Sequence, residues 1–162
     1  ATSLLLAPAA LLAQETAPQV DRVSMSQAVK AAQGSIDGGV LEAEIETEGD
    51  ALVYEIDLVR GDAVYEVTVN AATGEVLSQS EEQLTSFLSG LFQEDELRAA
   101  GDSLEVLMQA LTELESQDGT RVEELSLDEE DDRMVYEVEL TDATGERDVL
   151  IDASTGEITN DG

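Results

Sequence analysis

Leu52, Tyr54, Ile56 and Leu58 alternate with Val53, Glu55 and Asp57. A period of two with one apolar and one wet side predicts a half-buried strand. Tyr65, Val67 and Val69 alternate in the same way with Glu66, Thr68 and Asn70, and Leu41, Ala43 and Ile45 with acids. Gly49-Asp50 and Arg60-Gly61-Asp62 separate these runs as turns. Ala71-Ala72-Thr73-Gly74 is a tight turn in which Gly74 can take positive φ, and Val76 begins a short final strand. Ahead of the strands, Ser24 and Gln27 have capping-box spacing and open a helix to about Gln33, with Ala28, Val29 and Ala32 as its inner stripe. Gly34, Gly38 and Gly39 end that helix and turn the chain.

The pattern then repeats. Residues 40–76 align without a gap on residues 122–158 at an offset of 82, with about 13 of 37 positions identical. Val53-Tyr54-Glu55 falls on Val135-Tyr136-Glu137, and Thr73-Gly74-Glu75 on Thr155-Gly156-Glu157. In the second copy Asp102 and Glu105 restart a helix carried by Leu104, Leu107, Met108, Leu111 and Leu114, and Gln117-Asp118-Gly119 ends it. Strands are expected at 122–128, 133–140 and 146–152, with a last short strand from Ile158. Between the copies, Ser80 and Gln83 offer another capping box, followed by Leu84, Phe87, Leu88, Leu91 and Phe92 at helical intervals. That connector is read as a packing element between the copies or a docking helix for a partner. Residues 93–101 are polar and read as a helical turn broken at Gly101.

The expected fold class is α+β: two tandem small units, each with one helix packed on a three- to four-stranded antiparallel sheet, joined by an amphipathic helical connector. The divisions are a signal-peptide remnant at 1–13, a linker at 14–23, a first unit at 24–78, the connector at 79–101 and a second unit at 102–160. Residues 1–13 are apolar, uncharged and too short to span a bilayer, and Ala13 precedes a cleavage point at Gln14. This implies a periplasmic or secreted protein, with no membrane insertion once the signal is removed.

Charge narrows the function. The formal net charge is −31, with Lys30 the only lysine, which argues against nucleic acid and anionic membranes and suits a basic partner, divalent cations or a salty medium. Cysteine and histidine are both absent, so disulfides, thiolate nucleophiles, imidazole bases and the usual transition-metal ligands are excluded. With no P-loop, dinucleotide turn or nucleophile elbow either, the chain is read as not an enzyme and as needing no cofactor. The densest acidic run, Asp128, Glu129, Glu130, Asp131 and Asp132, reads as a solvated hairpin loop and is also the weak candidate for Ca²⁺. Glu75, Glu157, Asn70 and Asp152 are expected to cap turns through their side chains. Tyr54 and Tyr136 are expected in the core with hydroxyls at the sheet edge.

The capped helix, the V-Y-E-[IV]-[DE]-L strand and the closing V-[ND]-A-x-T-G-E-[VI] resemble the PepSY domain, in two tandem copies. That resemblance implies an extracytoplasmic setting and a role in modulating peptidases, since the same domain occurs in propeptides of secreted metalloproteases. No protease domain follows in the sequence, so the target is expected in trans. The function expected is a binding module for a protein partner, a peptidase among the candidates. The alternative is an acidic cation-binding or envelope-stress protein.

Overall fold

The computed structural model describes residues 21–82 and 94–161. The leader and the apolar stripe from Leu84 to Phe92 lie outside them. Helix α1 (Met25–Ser35) starts at Ser24, whose side chain accepts from the Gln27 backbone while the Gln27 side chain accepts from the Ser24 backbone. The predicted capping box is therefore present, and it satisfies two of the donors that a helix start leaves open. Strands β1 (Gly39–Glu48), β2 (Ala51–Arg60), β3 (Ala63–Asn70) and β4 (Val76–Glu82) follow as an antiparallel meander. Helices α2 (Glu94–Asp102) and α3 (Leu104–Glu115) come next. A second meander closes the chain: β5 (Arg121–Glu130), β6 (Arg133–Asp142), β7 (Gly145–Asp152) and β8 (Ile158–Asn160).

The fold is α+β, with three described helices and one eight-stranded antiparallel sheet in the order β4-β3-β2-β1-β5-β6-β7-β8. How the two meanders meet was open in the sequence. They join edge to edge, first strand to first strand, with Glu42 opposite Ser126, Ala43 opposite Leu125 and Glu44 opposite Glu124. Helices α1 and α3 pack beside each other, and Val29, Ala32, Leu107, Leu111, Tyr54 and Tyr136 belong to one continuous buried cluster. The halves therefore share a core, which relieves the difficulty a unit of about 55 residues has in burying enough apolar surface by itself.

Three helix-start readings are corrected. Ser80 lies in β4 opposite Glu66, because pairing with β3 holds the chain extended to Glu82, while its expected partner Gln83 lies outside the described residues. Gly101 does not break a helix, since α2 continues through it to Asp102. Residue Ser103, not Asp102, precedes α3, and it gives its N-terminus no side-chain hydrogen bond. Its hydroxyl instead donates to the Ala99 carbonyl at 2.6 Å.

Helix α2 packs on a second small apolar cluster, setting Leu97 and Ala100 against Leu41, Val59 and Val64. Val59 and Val64 alternate with core-facing Leu58 and Tyr65, so this contact lies on the sheet face away from α1 and α3. The approach is close. A Cβ on Gly39 would sit 2.0 Å from the Ala100 carbonyl oxygen, and one on Gly38 would sit 2.4 Å from that of Val59. In the second half the positions equivalent to Leu41, Val59 and Val64 are Glu123, Thr141 and Glu146. Among the described residues no apolar patch forms there; Arg22 donates to Glu123 at 2.7 Å, and Thr141 donates to the same carboxylate at 3.0 Å.

Candidate functional site

The acidic run of residues 128–132 forms the β5–β6 hairpin. Glu130 is opposite Arg133, and Asp131 and Asp132 make the two-residue turn with φ of 49° and 61°. Asp tolerates this left-handed backbone better than most residues, which suits the type of turn that a two-residue hairpin prefers. Asp128 turns its carboxylate back to the Glu129 backbone N–H at 2.7 Å. Successive side chains alternate between the faces of a strand, so the run is divided rather than gathered. Among the described residues no three carboxylates converge on a point that could hold a metal ion.

The tyrosines sit deeper than expected. Tyr54 and Tyr136 are both fully buried. The Tyr54 hydroxyl donates to the Val23 carbonyl at 2.6 Å, and that of Tyr136 donates to the Val40 carbonyl at 2.7 Å while meeting the Ser103 hydroxyl at 3.1 Å. Tyr136 thereby ties the second half to the first. Burial pushes both phenols up to about 12, so they remain proton donors rather than acids for catalysis.

The closing turns are built as the sequence implied, with one change. Asn70 Oδ1 accepts from the Ala72 and Thr73 backbone N–H groups, and Asp152 Oδ1 from those of Ser154 and Thr155. The Ser154 hydroxyl, which donates to the same oxygen at 2.7 Å, and then these backbone bonds hold the Asp152 carboxyl below its ordinary range. Glu75 and Glu157 act through their backbones: their carbonyls accept from Asn70 and Asp152, and their N–H groups donate to Thr73 and Thr155 hydroxyls. Gly74 and Gly156 supply the positive φ, 74° and 75°, that each turn requires.

What strand-by-strand reading missed is the pattern across the sheet. On the face away from α1 and α3, the registers align Glu66, Asp57, Glu42, Ser126, Glu137 and Leu150 in one row across β3, β2, β1, β5, β6 and β7. The adjacent row is Thr68, Glu55, Glu44, Glu124, Glu139 and Asp148. Every position except Ser126, Leu150 and Thr68 is an acid. Like charges directly opposite destabilise a strand pair. Burial, aided by Glu66 and neighbouring acids, pushes the Glu55 carboxyl up to about 7; burial, aided by Glu42 and Glu66, does the same for Asp57. Burial is also the first cause of the upward shifts of Glu42, Glu44, Glu137 and Glu139, with facing acids adding to each. A signal was present in the sequence: Glu42 and Glu124, Glu55 and Glu137, Asp57 and Glu139, and Glu66 and Asp148 are equivalent positions of the two copies.

At one end of the sheet a polar cleft opens where α1, the loop after α3 and β5 meet, lined by Arg22, Gln27, Tyr54, Glu115, Gln117 and Arg121. Glu115 already occupies the start of α1, accepting from the Met25 and Ser26 backbone N–H groups at 2.7 and 3.1 Å. A carboxylate there is favoured by both the open donors and the helix dipole. Glu115 thereby pins the end of α3 to the start of α1.

The fold has a counterpart among solved structures. A protein described as a lipoprotein from Clostridium difficile 630 is similar with a TM-score of 0.50 and 23% identity, over 88% of this chain and 94% of that chain. At that identity the likeness is one of fold. No curated protein matches the chain. A family profile does, and it matches twice, over residues 22–80 and 105–161, each span beginning before or within a core helix and ending after a closing Thr-Gly-Glu turn. The chain belongs to the PepSY family, peptidase propeptide and YPEB domain.

Proposed function

We propose that the protein is an exported, non-catalytic binding module that docks on another protein, and that its target is a peptidase. The observation that carries this reading is the double match to a family described by its peptidase propeptides. The architecture is consistent with it. Helices α1 and α3 cover one face of the sheet, α2 covers one end of the other, and the rows of carboxylates remain on the face between β3 and β7. Such a surface suits a basic patch on a partner, which it would draw in by long-range attraction and distinguish by charge. Among the described residues no helix is long and apolar enough to cross a membrane.

The test is direct. The purified protein is titrated into secreted metallopeptidases acting on a small fluorogenic peptide, with binding followed in parallel by calorimetry. A saturable change in rate at stoichiometric ratios, weakening as salt is raised, is the expected result. No binding and no rate change across the panel would remove the peptidase from the reading. Export is tested separately by N-terminal sequencing of the mature protein, expected to begin at Gln14.

A further inference from the structure

The join between the halves of the sheet is short. Strand β1 runs along β2 from Gly39 to Glu48 and β5 along β6 from Arg121 to Glu130, but β1 and β5 are in register only from Glu42 to Glu44 and from Glu124 to Ser126. Within that register Glu44 stands directly opposite Glu124, and Glu42 lies on the same face opposite Ser126. Behind β1, Asp57 is opposite Glu42 and Glu55 opposite Glu44. Behind β5, Glu139 is opposite Glu124 and Glu137 opposite Ser126.

The surrounding elements add further charge of both signs, Arg133 of β6 being paired with Asp152. Glu66 from β3 and Asp148 from β7 end the rows, and Glu46 continues β1. Glu82 from β4 acts on Asp57. Asp128, Glu130 and Asp161 act on Glu137, while Glu123 and Glu146 act on Glu139. Helix α2, which packs on β1, β2 and β5, carries Glu94, Glu96 and Asp102, and its Arg98 is paired with Asp95. Arg22 is engaged by Glu123. Arg121, at the start of β5, is opposite Thr141 and not within the rows.

We propose that the β1–β5 join is a pH-sensitive joint, closed while Glu42 and Glu44 hold protons and loosened when they ionise on the strand edge that faces Glu124 and Ser126. Glu42 and Glu44 are shifted upward and Glu55 and Asp57 reach about 7. For a carboxyl raised on folding, the folded state holds the proton more tightly. Its stabilising contribution is complete below the ordinary carboxylate range and is lost as pH rises through the raised value. The joint therefore loosens as pH rises through the raised values of Glu42 and Glu44, with Glu55 and Asp57 behind them ionising at about 7. Loosening is local, because the shared core, the Tyr136 bond to Val40 and the Arg22–Glu123 pair keep the halves together. Once loose, β1 and β5 each present an unpaired edge able to accept an extended segment.

Amide hydrogen exchange by NMR, corrected for intrinsic rates, tests the joint in the full chain. Protection of amides in residues 42–44 and 124–126 is expected to fall about tenfold from roughly pH 5.5 to pH 8, with amides of residues 107–111 in α3 as the reference for global opening. A Glu44→Gln/Glu124→Gln double variant is expected to keep that protection at the higher pH. Wild type at pH 8 is expected to regain it in about 1 M NaCl, where charges are screened. Protection in wild type that is unchanged with pH, a double variant that loses as much as wild type, or no recovery in salt would each overturn the proposal.

Discussion

At the scale of single residues, the buried hydroxyls show where chemistry and sequence reading part. The alternation around Tyr54 and Tyr136 placed both rings in the core, as found, but the hydroxyls were expected at the sheet edge. That destination depends on which carbonyl comes within reach, and the Val40 carbonyl is supplied by a strand far away in sequence. Tyr136→Phe removes the donor to the Val40 carbonyl, while the Ser103 hydroxyl keeps its bond to Ala99, and should lower stability in urea unfolding by about 1–2 kcal/mol. The turns were more legible, because a side chain bonding its own neighbours needs no tertiary partner. Asp152→Ala removes an acceptor shared by two backbone N–H groups and the Ser154 hydroxyl, and should be destabilising by about 1 kcal/mol. Glu157→Ala, which spares the backbone bonds that Glu157 makes, should stay within about 0.5 kcal/mol of wild type.

Elements followed the sequence where one pattern decided them and departed where two competed. The Ser24–Gln27 spacing was followed by a helical stripe, and the helix is there. The Ser80–Gln83 spacing looked the same locally, but Ser80 belongs to a strand because β3 offers it a ladder. Tertiary pairing outweighs a cap that is worth about 1 kcal/mol. Helix α2 was nearly invisible: it is polar, and its packing rests on Leu97 and Ala100 meeting a patch whose apolar members come from three strands. Glycine carries the consequence. Gly39→Ala drives a methyl into the Ala100 backbone and should be destabilising by about 1–3 kcal/mol, or displace α2. Gly34→Ala, inside α1 with nothing within 4 Å of the new Cβ, should be stabilising by about 0.5–1 kcal/mol. Thermal or urea unfolding of the two variants side by side measures both.

For the whole molecule, the charge total was plain from composition, but its arrangement was not. Alternation put acids on the wet side of each strand. Only the registers, which no single strand encodes, stack them into rows. Global stability should reflect this as a maximum on the acidic side of neutrality. Above it, urea midpoints should fall toward pH 8 as the raised Glu55 and Asp57 ionise. Below about pH 4 they should fall again as Asp142 and Asp152 take up protons: both carboxyls are lowered by hydrogen bonds, Asp142 to about 2, so the stability they contribute is lost as pH drops through those values. A midpoint flat from pH 5 to 8 would contradict the arrangement. The union of the two meanders through equivalent first strands has its own implication. A chain of the first half alone would already hold both lips of that union, since two copies could abut β1 to β1 about a two-fold axis. In that homodimer Glu42 would confront Glu44 on both sides of the axis, whereas the natural chain has Ser126 where the second Glu44 would stand. Tandem duplication thus gives one polypeptide the freedom to mutate a single lip, and self-repulsion that a symmetric pair must bear twice is here borne once.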